Sequence, residues 1–360
     1  MVETPVSSQA VYTTRPVIQV DEQSFPLVNE LLISMDMVER EGGLSALELR
    51  LTNIASDDRG DAEFAFEDDR TLTLGGRLRV YAGDERSPTE IFRGVITGLE
   101  AVFPRQNAPE LVVLAEDIFQ QARMERRTKT YDDASIADIA QQVAQNLGLQ
   151  AVVDGFSDRI GTHVQFNESD LAFLRRLLTR YDGDLQVVGT EMHVAPRSQV
   201  QRGSVTLELH SQLREARILA DLAHQVTGVS ITGWDASQGA RIQVASQGAN
   251  AGPGSGTSGS DILERAIGSR QHHVQHINVT NDGEAQALAD SIYDDRARRF
   301  VTVEAMADGN PSIRVGTHVE LRGVGRFENT YYVTYARHTY TNTSGYVTEF
   351  EGECAYWGGG

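Results

Sequence analysis

Hydrophobic and polar residues alternate with a period of two along the first third of the chain, which is typical of half-buried β-strands. The alternation predicts six strands, over residues 17–20, 31–38, 47–51, 72–81, 90–103 and 109–116. The acidic stretch 56–70 is interpreted as a solvated loop, because it lacks the Asp/Asn spacing of a calcium-binding loop. These antiparallel strands predict a first, tube-like β-barrel over 15–118, preceded by a flexible arm at 1–14.

A helical period replaces the alternation in the middle of the chain, where residues 119–222 predict a helix-rich α+β module. One helix begins after Ser135, whose spacing to Asp138 is a weaker form of the capping box, and it ends at Gly148. The apolar stripe of this helix comprises Ile136, Ile139, Ala140, Val143 and Leu147. The stripe predicts that the helix packs on a core with one face.

A second helix is predicted after Asn167 or Ser169, either of which can serve as its N-cap. The predicted core-facing residues are Leu171, Leu174, Leu177 and Leu178, and the predicted solvent-facing residues are Arg175, Arg176, Thr179 and Arg180. We expect Gly183 to end this helix, and residues 185–194 to form a hairpin with its turn at Gly189 and Thr190.

Renewed alternation over residues 223–354 predicts a second β-barrel. Its strands are predicted at 226–235, 241–244, 300–305, 313–322 and 329–341, and a helix is predicted at 283–299. The Gly/Ser-rich stretch 248–260 predicts a mobile insertion loop, and residues 355–360 a tail or linker. The expected fold class is therefore α+β, mostly β, with two tandem antiparallel β-barrels and a helical module between them.

A short internal repeat links the two predicted barrels. Residues 72–80 and 313–321 superimpose at an offset of 241 residues. The matched residues are Leu72, Leu74, Gly75, Leu78 and Val80 with Ile313, Val315, Gly316, Val319 and Leu321. Five matches also arise by coincidence between two ordinary strands, so the repeat is a hypothesis of two similar barrels in one chain.

Composition and charge narrow the classes of function. The 360 residues predict two to four domains, and the composition, 40% hydrophobic and 23% charged, is that of a folded protein. A formal net charge of −19 disfavours nucleic-acid binding as the main activity. It indicates a self-repelling surface, or alternatively an acidic lumen in which cargo slides. No apolar run approaches the ~20 residues of a membrane helix, and the lone Cys354 has no intrachain disulfide partner.

Catalytic and metal-binding motifs are absent from the sequence. It contains no nucleophile elbow, phosphate loop, dinucleotide-binding glycine pattern or HExxH zinc motif. His272, His273 and His276 form the one histidine cluster, and a strand would place His272 and His276 on one face. Zinc sites use three or four ligands, so the cluster favours a surface strand over a metal site. We expect no enzyme activity, no metal and no cofactor.

Several sequence phrases resemble the late control protein D family, which supplies the baseplate hub of contractile phage tails. The phrase at 165–194 carries most of the resemblance, and shorter phrases lie at 92–95, 233–235 and 331–350. The matching residues are Phe92, Gly94, Phe166, Glu168, Ser169, Asp170, Leu171, Phe173, Arg176, Gly233, Trp234, Asp235, Tyr332, His338, Gly345, Tyr346 and Phe350. Related hubs occur in extracellular contractile injection systems and in type VI secretion spike proteins.

The resemblance implies a structural hub that forms a homotrimer and adapts a sixfold inner tube to a threefold spike. The implied partners are further copies of the chain, a spike protein, the inner tube protein and baseplate wedge proteins, with cargo in the lumen. Assembly is expected in the bacterial cytoplasm, into a phage virion or an injection particle. The spike is expected either as a separate polypeptide or as a continuation past the glycines at 358–360.

One alternative class remains from the residues alone. Two barrels also suit a cell-wall or glycan-acting enzyme or binding module, although no sequence feature selects a carboxylate pair for sugar cleavage. A capsid or tube subunit is disfavoured by the length and by the helical module. Mass in solution discriminates between the two leading classes, because a hub is expected to be trimeric.

Overall fold

The computed structural model describes residues 15–56, 62–67, 70–159, 161–275, 277 and 279–358. Within them the chain is α+β and mostly β, as the sequence predicts, with a large antiparallel sheet. The predicted arm at 1–14 lies outside the described residues. None of the described helices is long and apolar enough to cross a membrane.

The first β unit (15–117) surrounds one hydrophobic core. Its elements are β1 Val17–Val20, β2 Gln23–Ser24, helix α1 Pro26–Glu30, β3 Leu32–Arg40, β4 Leu44–Thr52, β5 Ala55–Ser56, β6 Ala62–Glu63, β7 Arg77–Gly83, β8 Pro88–Val102 and β9 Glu110–Asp117. The six predicted strands correspond to β1, β3, β4, β7, β8 and β9. Strands β5 and β6 pair within the stretch predicted as a loop, of which 57–61 and 68–69 lie outside the described residues.

The helical module (118–199) surrounds a second core. Its elements are α2 Gln121–Met124, β10 Arg126–Tyr131, α3 Ile136–Asn146, β11 Gln150–Val153, β12 His163–Ser169, α4 Asp170–Arg180, β13 Gly183–Val188 and β14 Glu191–Pro196. The capping box of α3 is confirmed: the Asp138 amide donates to Ser135 Oγ at 3.0 Å, and the Ser135 amide donates to Asp138 Oδ2 at 3.0 Å. Ser169 caps α4, with its Oγ accepting from the Ala172 amide at 3.3 Å.

The predicted end of α4 at Gly183 is wrong. The helix ends at Arg180, Asp182 has a positive φ of 52°, and Gly183 begins β13. A Cβ at Gly183 would lie 2.6 Å from Leu178 Cδ2, so the glycine serves close packing of the strand on the helix. The predicted solvent-facing Arg175 is also partly wrong, because its Nε donates to the Gly42 carbonyl of the first β unit at 2.7 Å.

The second β unit (203–357) contains the remaining elements. They are β15 Gly203–Glu208, β16 Leu213–Ala220, β17 Gly228–Asp235, β18 Ala240–Ser246, β19 Thr257–Ser258, α5 Gly259–Ala266, β20 Gln271–Val274, α6 Asp282–Arg298, β21 Val301–Asp308, β22 Thr317–Arg322, β23 Asn329–Thr341, β24 Gly345–Cys354 and β25 Tyr356–Trp357. This unit has two cores, one under the large sheet and one where α6 packs on β17 and β18.

Two features of the second unit differ from the prediction. Strand β15 pairs with β22 and β16 pairs with β21, so residues 203–220 belong to the second β unit and not to the helical module. The predicted mobile loop 248–260 contains β19 and the start of α5, and a Cβ at Gly254 would lie 2.7 Å from Cys354 Sγ. Gly252 and Gly254 have positive φ, which lets the backbone follow the sheet closely.

Strands from both β units form one 13-stranded sheet. The main path is β16-β21-β24-β23-β3-β4-β9-β8-β7-β1-β2, and β22 with β15 branches from β23. The two predicted barrels are thus joined edge to edge, each over its own core. Pairing among the described residues closes neither of them into a barrel.

Five strands of each unit repeat the same topology. The order is β3-β4-β9-β8-β7 in the first unit and β16-β21-β24-β23-β22 in the second, and every neighbouring pair is antiparallel. Two bulges fall at the same places, because Ile33 corresponds to Arg214 and Thr97 to Thr334, whereas the bulge between β7 and β8 has no counterpart between β22 and β23. The internal repeat predicted from 72–80 and 313–321 therefore extends through five strands.

The repeated strands β7 and β22 start later than predicted, for the same reason in both copies. Gly75 and Gly316 have φ of 88° and 85°. The amide after each glycine donates to a carbonyl three residues earlier, of Thr73 or Arg314, at 3.0 Å. A turn therefore occupies the first residues of each predicted strand, and an apolar alternation does not distinguish such a turn from an extended chain.

Candidate assembly interface

The two β units meet where residues 335–341 of β23 pair with residues 34–40 of β3. We call this pairing the internal junction. Its core-facing residues are almost fully buried, with exposed fractions of 1% for Met35, 0% for Met37 and 7% for Tyr340. Tyr340 crosses the junction and belongs to the core of the first unit. Backbone pairing and apolar burial together join the units.

An ion pair spans the opposite face of the internal junction. Arg337 donates from Nε and Nη2 to the two carboxylate oxygens of Asp36 at 2.9 and 2.5 Å. Glu349 of the next strand lies 3.4 Å from Arg337 Nη1. Hydrogen bonds of this two-pronged kind fix geometry as well as adding attraction, so the pair specifies the register of the junction.

His338 lies fully buried at the centre of the internal junction. Its Nδ1 is 2.8 Å from Tyr346 Oη and 3.2 Å from Thr348 Oγ1, and its ring stacks on Tyr346 with centroids 5.8 Å apart. Burial lowers the pKa of His338 to about 3, aided by the nearby charge of Arg314. The imidazole is therefore neutral, and in the tautomer with an unprotonated Nδ1 it can accept a hydrogen bond from Tyr346 or Thr348.

By the internal repeat, β8 of the first unit is equivalent to β23, and β16 of the second unit is equivalent to β3. The edges of β8 and β16 that correspond to the internal junction have no strand partner among the described residues. Among the described residues, β8 beyond Ile96 pairs only with β9, and residues 215–220 of β16 pair only with β21. Large apolar side chains stand exposed there: Leu99 at 37%, Phe103 at 66% and Leu219 at 55%. We call these two segments, 97–103 and 215–220, the free edges. Exposed strand edges template pairing with another chain.

A buried ionic cluster holds the helical module against both β units. Arg197 Nε and Nη2 lie 2.6 Å from the carboxylates of Glu41 and Glu353, respectively. Arg298 of α6 also contacts Glu353, and it pairs with Asp182. Burial raises the pKa of Glu41 to about 7 despite the Arg197 charge. The cluster therefore fixes the module against both β units.

A second buried pair ties the two units beside the internal junction. Glu39 accepts from Arg314 Nε at 2.6 Å and Nη2 at 3.1 Å, and from the Gln186 side chain. Burial opposes ionisation of this carboxyl, but Arg314 holds its pKa below the ordinary value. The three residues come from β3, the turn before β22 and β13, so one carboxylate connects both units and the module.

The phrase at 165–194 lies in the module, and most of its residues are structural. Leu171 and Phe173 are buried, and Phe173 stacks on Tyr131 with ring centroids 5.4 Å apart. Glu168 pairs with Arg176 at 2.6 Å. Asp170 is buried and accepts from Gln165 Nε2 at 2.9 Å, with Arg127 at 3.3 Å. Phe166 differs, because 75% of its surface is exposed.

The other phrases lie in three separate places. Phe92 and Gly94 are on β8, where a Cβ at Gly94 would collide with the Glu116 carbonyl. Gly233, Trp234 and Asp235 end β17, and Trp234 is 60% exposed. Asp235 accepts from the Ser237 hydroxyl and from the Gln238 and Ser237 amides, which lowers its pKa. On β23 and β24 lie the buried Tyr332, His338, Tyr346 and Phe350, with Gly345 at positive φ as the first residue of β24.

The candidate metal cluster gains no support from the geometry. His272 and His273 lie on β20, as the strand interpretation expects, and His276 lies outside the described residues. Among the described residues, no group of three or more His, Cys, Asp or Glu side chains could hold a metal ion. Two of the four phrases meet at one pocket, which is lined by Phe92 and Arg93 and by residues 187–189.

The sequence alone does not single out Glu100 and Arg217, the charged residues of the free edges. Glu100 on β8 is exposed and has no ion pair among the described residues, and Arg217 on β16 is 81% exposed with Glu304 at 3.6 Å. No residue pattern marks them. Only the internal repeat points to them. Thr97 corresponds to Thr334 and Phe103 to Tyr340, and this match aligns β8 with β23.

Comparison with solved structures shows the fold of tail proteins. A 43 kDa tail protein of prophage MuSo2 from Shewanella oneidensis has a TM-score of 0.65 at 12% identity, covering 94% of this chain and 97% of that one. A tail protein from Neisseria meningitidis MC58 has a TM-score of 0.67 at 10% identity, with coverage of 94% and 96%. The E. coli c3393 protein, a type VI secretion component, has a TM-score of 0.59 at 11% identity, with coverage of 94% and 78%.

The chain thus has the architecture shared by phage tail proteins and a type VI secretion component. A family model described as the Alg8 N-terminal domain matches residues 49–342, and the chain belongs to this family. No curated protein matches the sequence. The match spans both β units and the helical module.

Proposed function

We propose that this protein is a structural, non-enzymatic baseplate hub of a contractile phage tail or contractile injection system, of the late control protein D type. Its fold is similar to that of the tail proteins from Shewanella oneidensis prophage MuSo2 and from Neisseria meningitidis. It is also similar to that of the E. coli type VI secretion component. The proposal also uses the phrases of the sequence that resemble the hub family. Three copies form a ring that adapts a sixfold tube to a threefold spike.

The internal repeat is the observation that carries this proposal. Each chain holds two five-strand units of the same order, joined by one internal junction. Each chain also has one free edge on β8, the equivalent of β23, and one on β16, the equivalent of β3. A head-to-tail contact of this kind generates a closed ring when its rotation closes. Three chains then present six similar units to one neighbour and true threefold symmetry to another.

The resemblance to the hub family supplies the partners of this ring. The six-unit side of the ring meets the inner tube protein, the threefold side meets a spike protein, and baseplate wedge proteins surround the ring. Exposed aromatic residues Phe166 and Trp234 lie away from the free edges in sequence and supply contact surface for such neighbours. The ring assembles in the bacterial cytoplasm and becomes part of the particle.

Mass in solution tests the proposal. Size-exclusion chromatography with light scattering, at low and high salt, is expected to give three times 39.5 kDa for the purified chain, or that mass once a spike protein is added. A chain that stays monomeric with spike and tube proteins, or that cleaves peptidoglycan or other glycans in an activity screen, contradicts it. The second outcome would favour a glycan-acting enzyme.

A further inference from the structure

We propose that β8 of one chain pairs with β16 of a second copy in the register that joins β23 to β3 within the chain, with Glu100 of one copy bound to Arg217 of the next. This inference rests on the proposed function, and it names the strands, the register and the ion pair of the contact between copies.

The bulges of the two units fix the register. Gly98 follows the bulge of β8 as Tyr335 follows the bulge of β23, so Glu100 corresponds to Arg337. The same comparison of β16 with β3 makes Arg217 correspond to Asp36. Because the internal junction pairs Arg337 with Asp36, the same register between chains places Glu100 beside Arg217.

The polarity of the ion pair is reversed between the two junctions. The β23 partner is basic and the β3 partner acidic within the chain, whereas β8 supplies the acid and β16 the base between chains. The reversal keeps the attraction and also discriminates between edges. A wrong pairing of β8 with β3 would oppose Glu100 and Asp36, and one of β23 with β16 would oppose Arg337 and Arg217. Such like-charge contacts give specificity.

The apolar residues of the free edges match those of the internal junction. Phe103, which is 66% exposed, corresponds to Tyr340, which is 7% exposed because it reaches the core of the first unit. On β16, Ala216 and Ile218 correspond to Met35 and Met37, and they are only partly buried at the edge of the second core. Edge pairing would let Phe103 complete that core in the next chain.

Charge reversal tests the ion pair. Glu100→Arg and Arg217→Glu each place like charges together, and we expect each to raise the concentration at which the trimer dissociates by roughly tenfold or more. The double variant, Glu100→Arg with Arg217→Glu, restores opposite charges and is expected to recover wild-type assembly. Glu85→Arg and Arg159→Glu are matched controls, because they reverse exposed charges away from both free edges.

Cysteine pairs test the register independently of affinity. Ala101 and Ile218 stand directly opposite in the proposed register, because they correspond to His338 and Met37. Mild oxidation of Ala101→Cys with Ile218→Cys is expected to give disulfide-linked oligomers, whereas Ala101→Cys with Ala216→Cys, two residues out of register, is not. The native Cys354 is buried, and burial raises its thiol pKa to about 12, so it stays unreactive.

The outcomes separate this inference from the proposed function. A wild-type chain that remains monomeric with its partners overturns the trimeric hub itself. If the wild-type chain is a trimer and both single reversals leave the trimer intact, only the β8–β16 contact is overturned. The same holds if the double variant is folded by circular dichroism but does not recover the trimer. Crosslinking of the out-of-register pair but not of the matched pair also overturns the register.

Discussion

Thr97 and Thr334 make the same hydrogen bond in the two halves of the chain: each Oγ1 donates at 3.4 Å to a carbonyl of the opposing strand, that of Leu114 or Glu351. Both threonines lie at a β-bulge, where a strand bends and its twist increases. Such a shared irregularity is stronger evidence of a repeated unit than shared apolar alternation, which any two strands show. The ring account depends on this equivalence.

The paired turn glycines give a stability test of the repeat. Gly75→Ala and Gly316→Ala each place a side chain at positive φ, which costs roughly 1–2 kcal/mol. At Gly316 the new Cβ would also lie 2.5 Å from Arg202 Nη1 and 2.9 Å from Val200 Cγ1, whereas Gly75 has open space. Urea unfolding is expected to show both variants destabilised and Gly316→Ala the more so. Equal losses would contradict the packing difference.

His338 predicts an acid-dependent loss of stability. Its pKa falls from 6.5 to about 3 on folding. Between these pH values the imidazole is protonated in the unfolded chain and neutral in the folded chain. This contribution to the unfolding free energy is full above pH 6.5 and is lost as pH falls towards 3. Replacing His338 with Gln, which keeps a polar side chain, is expected to make the acid limb of stability shallower by up to one proton. An unchanged limb would refute a neutral buried imidazole.

Glu41 predicts the opposite dependence. Burial raises its pKa from 4.5 to about 7, so between these values the folded chain keeps a proton that the unfolded chain releases. Its contribution to stability is present below pH 4.5 and is lost as pH rises through 7. Relative to wild type, Glu41→Gln is therefore expected to gain stability between pH 5 and pH 8, measured by denaturant unfolding. If Glu41→Gln instead has a lower unfolding free energy than wild type at pH 8, Arg197 stabilises the charged carboxylate.

Two phenylalanines of the same phrase separate folding from docking. Phe173 is fully buried in the module core, so Phe173→Ala is expected to cost about 3–5 kcal/mol of unfolding free energy. Phe166 is 75% exposed, and Phe166→Ala is expected to change stability by less than about 0.5 kcal/mol. Thermal and urea unfolding of both variants check this. If Phe166→Ala weakens binding to spike or tube protein while folding is intact, the aromatic residue is a contact surface.

Local features of the fold were predictable because they depend on residues close in sequence. The strand 329–341, the capping box of Ser135 and Asp138, and the hairpin turn at Gly189 and Thr190 all follow from short patterns. Helix α5 was missed although its signal was present: Ser258 Oγ accepts from the Asp261 amide at 3.1 Å, the pattern of a helix N-cap. Its Gly/Ser surroundings concealed it.

Long-range features were not predictable, because strand partners are chosen by shape and register that one strand does not encode. The joining of β23 to β3, about 300 residues apart in sequence, follows from no local pattern. The same holds for Glu100 and Arg217, which look like ordinary surface charges until the two units are aligned. The two free edges therefore become visible as equivalents of the internal junction only through the internal repeat.

Electron cryomicroscopy of the assembled chain would show the proposed ring itself. We expect a threefold ring of six similar β units, in which β8–β16 contacts between chains alternate with β23–β3 junctions within chains. A monomer, a ring with another number of chains, or a trimer whose β8 and β16 edges face solvent would contradict it.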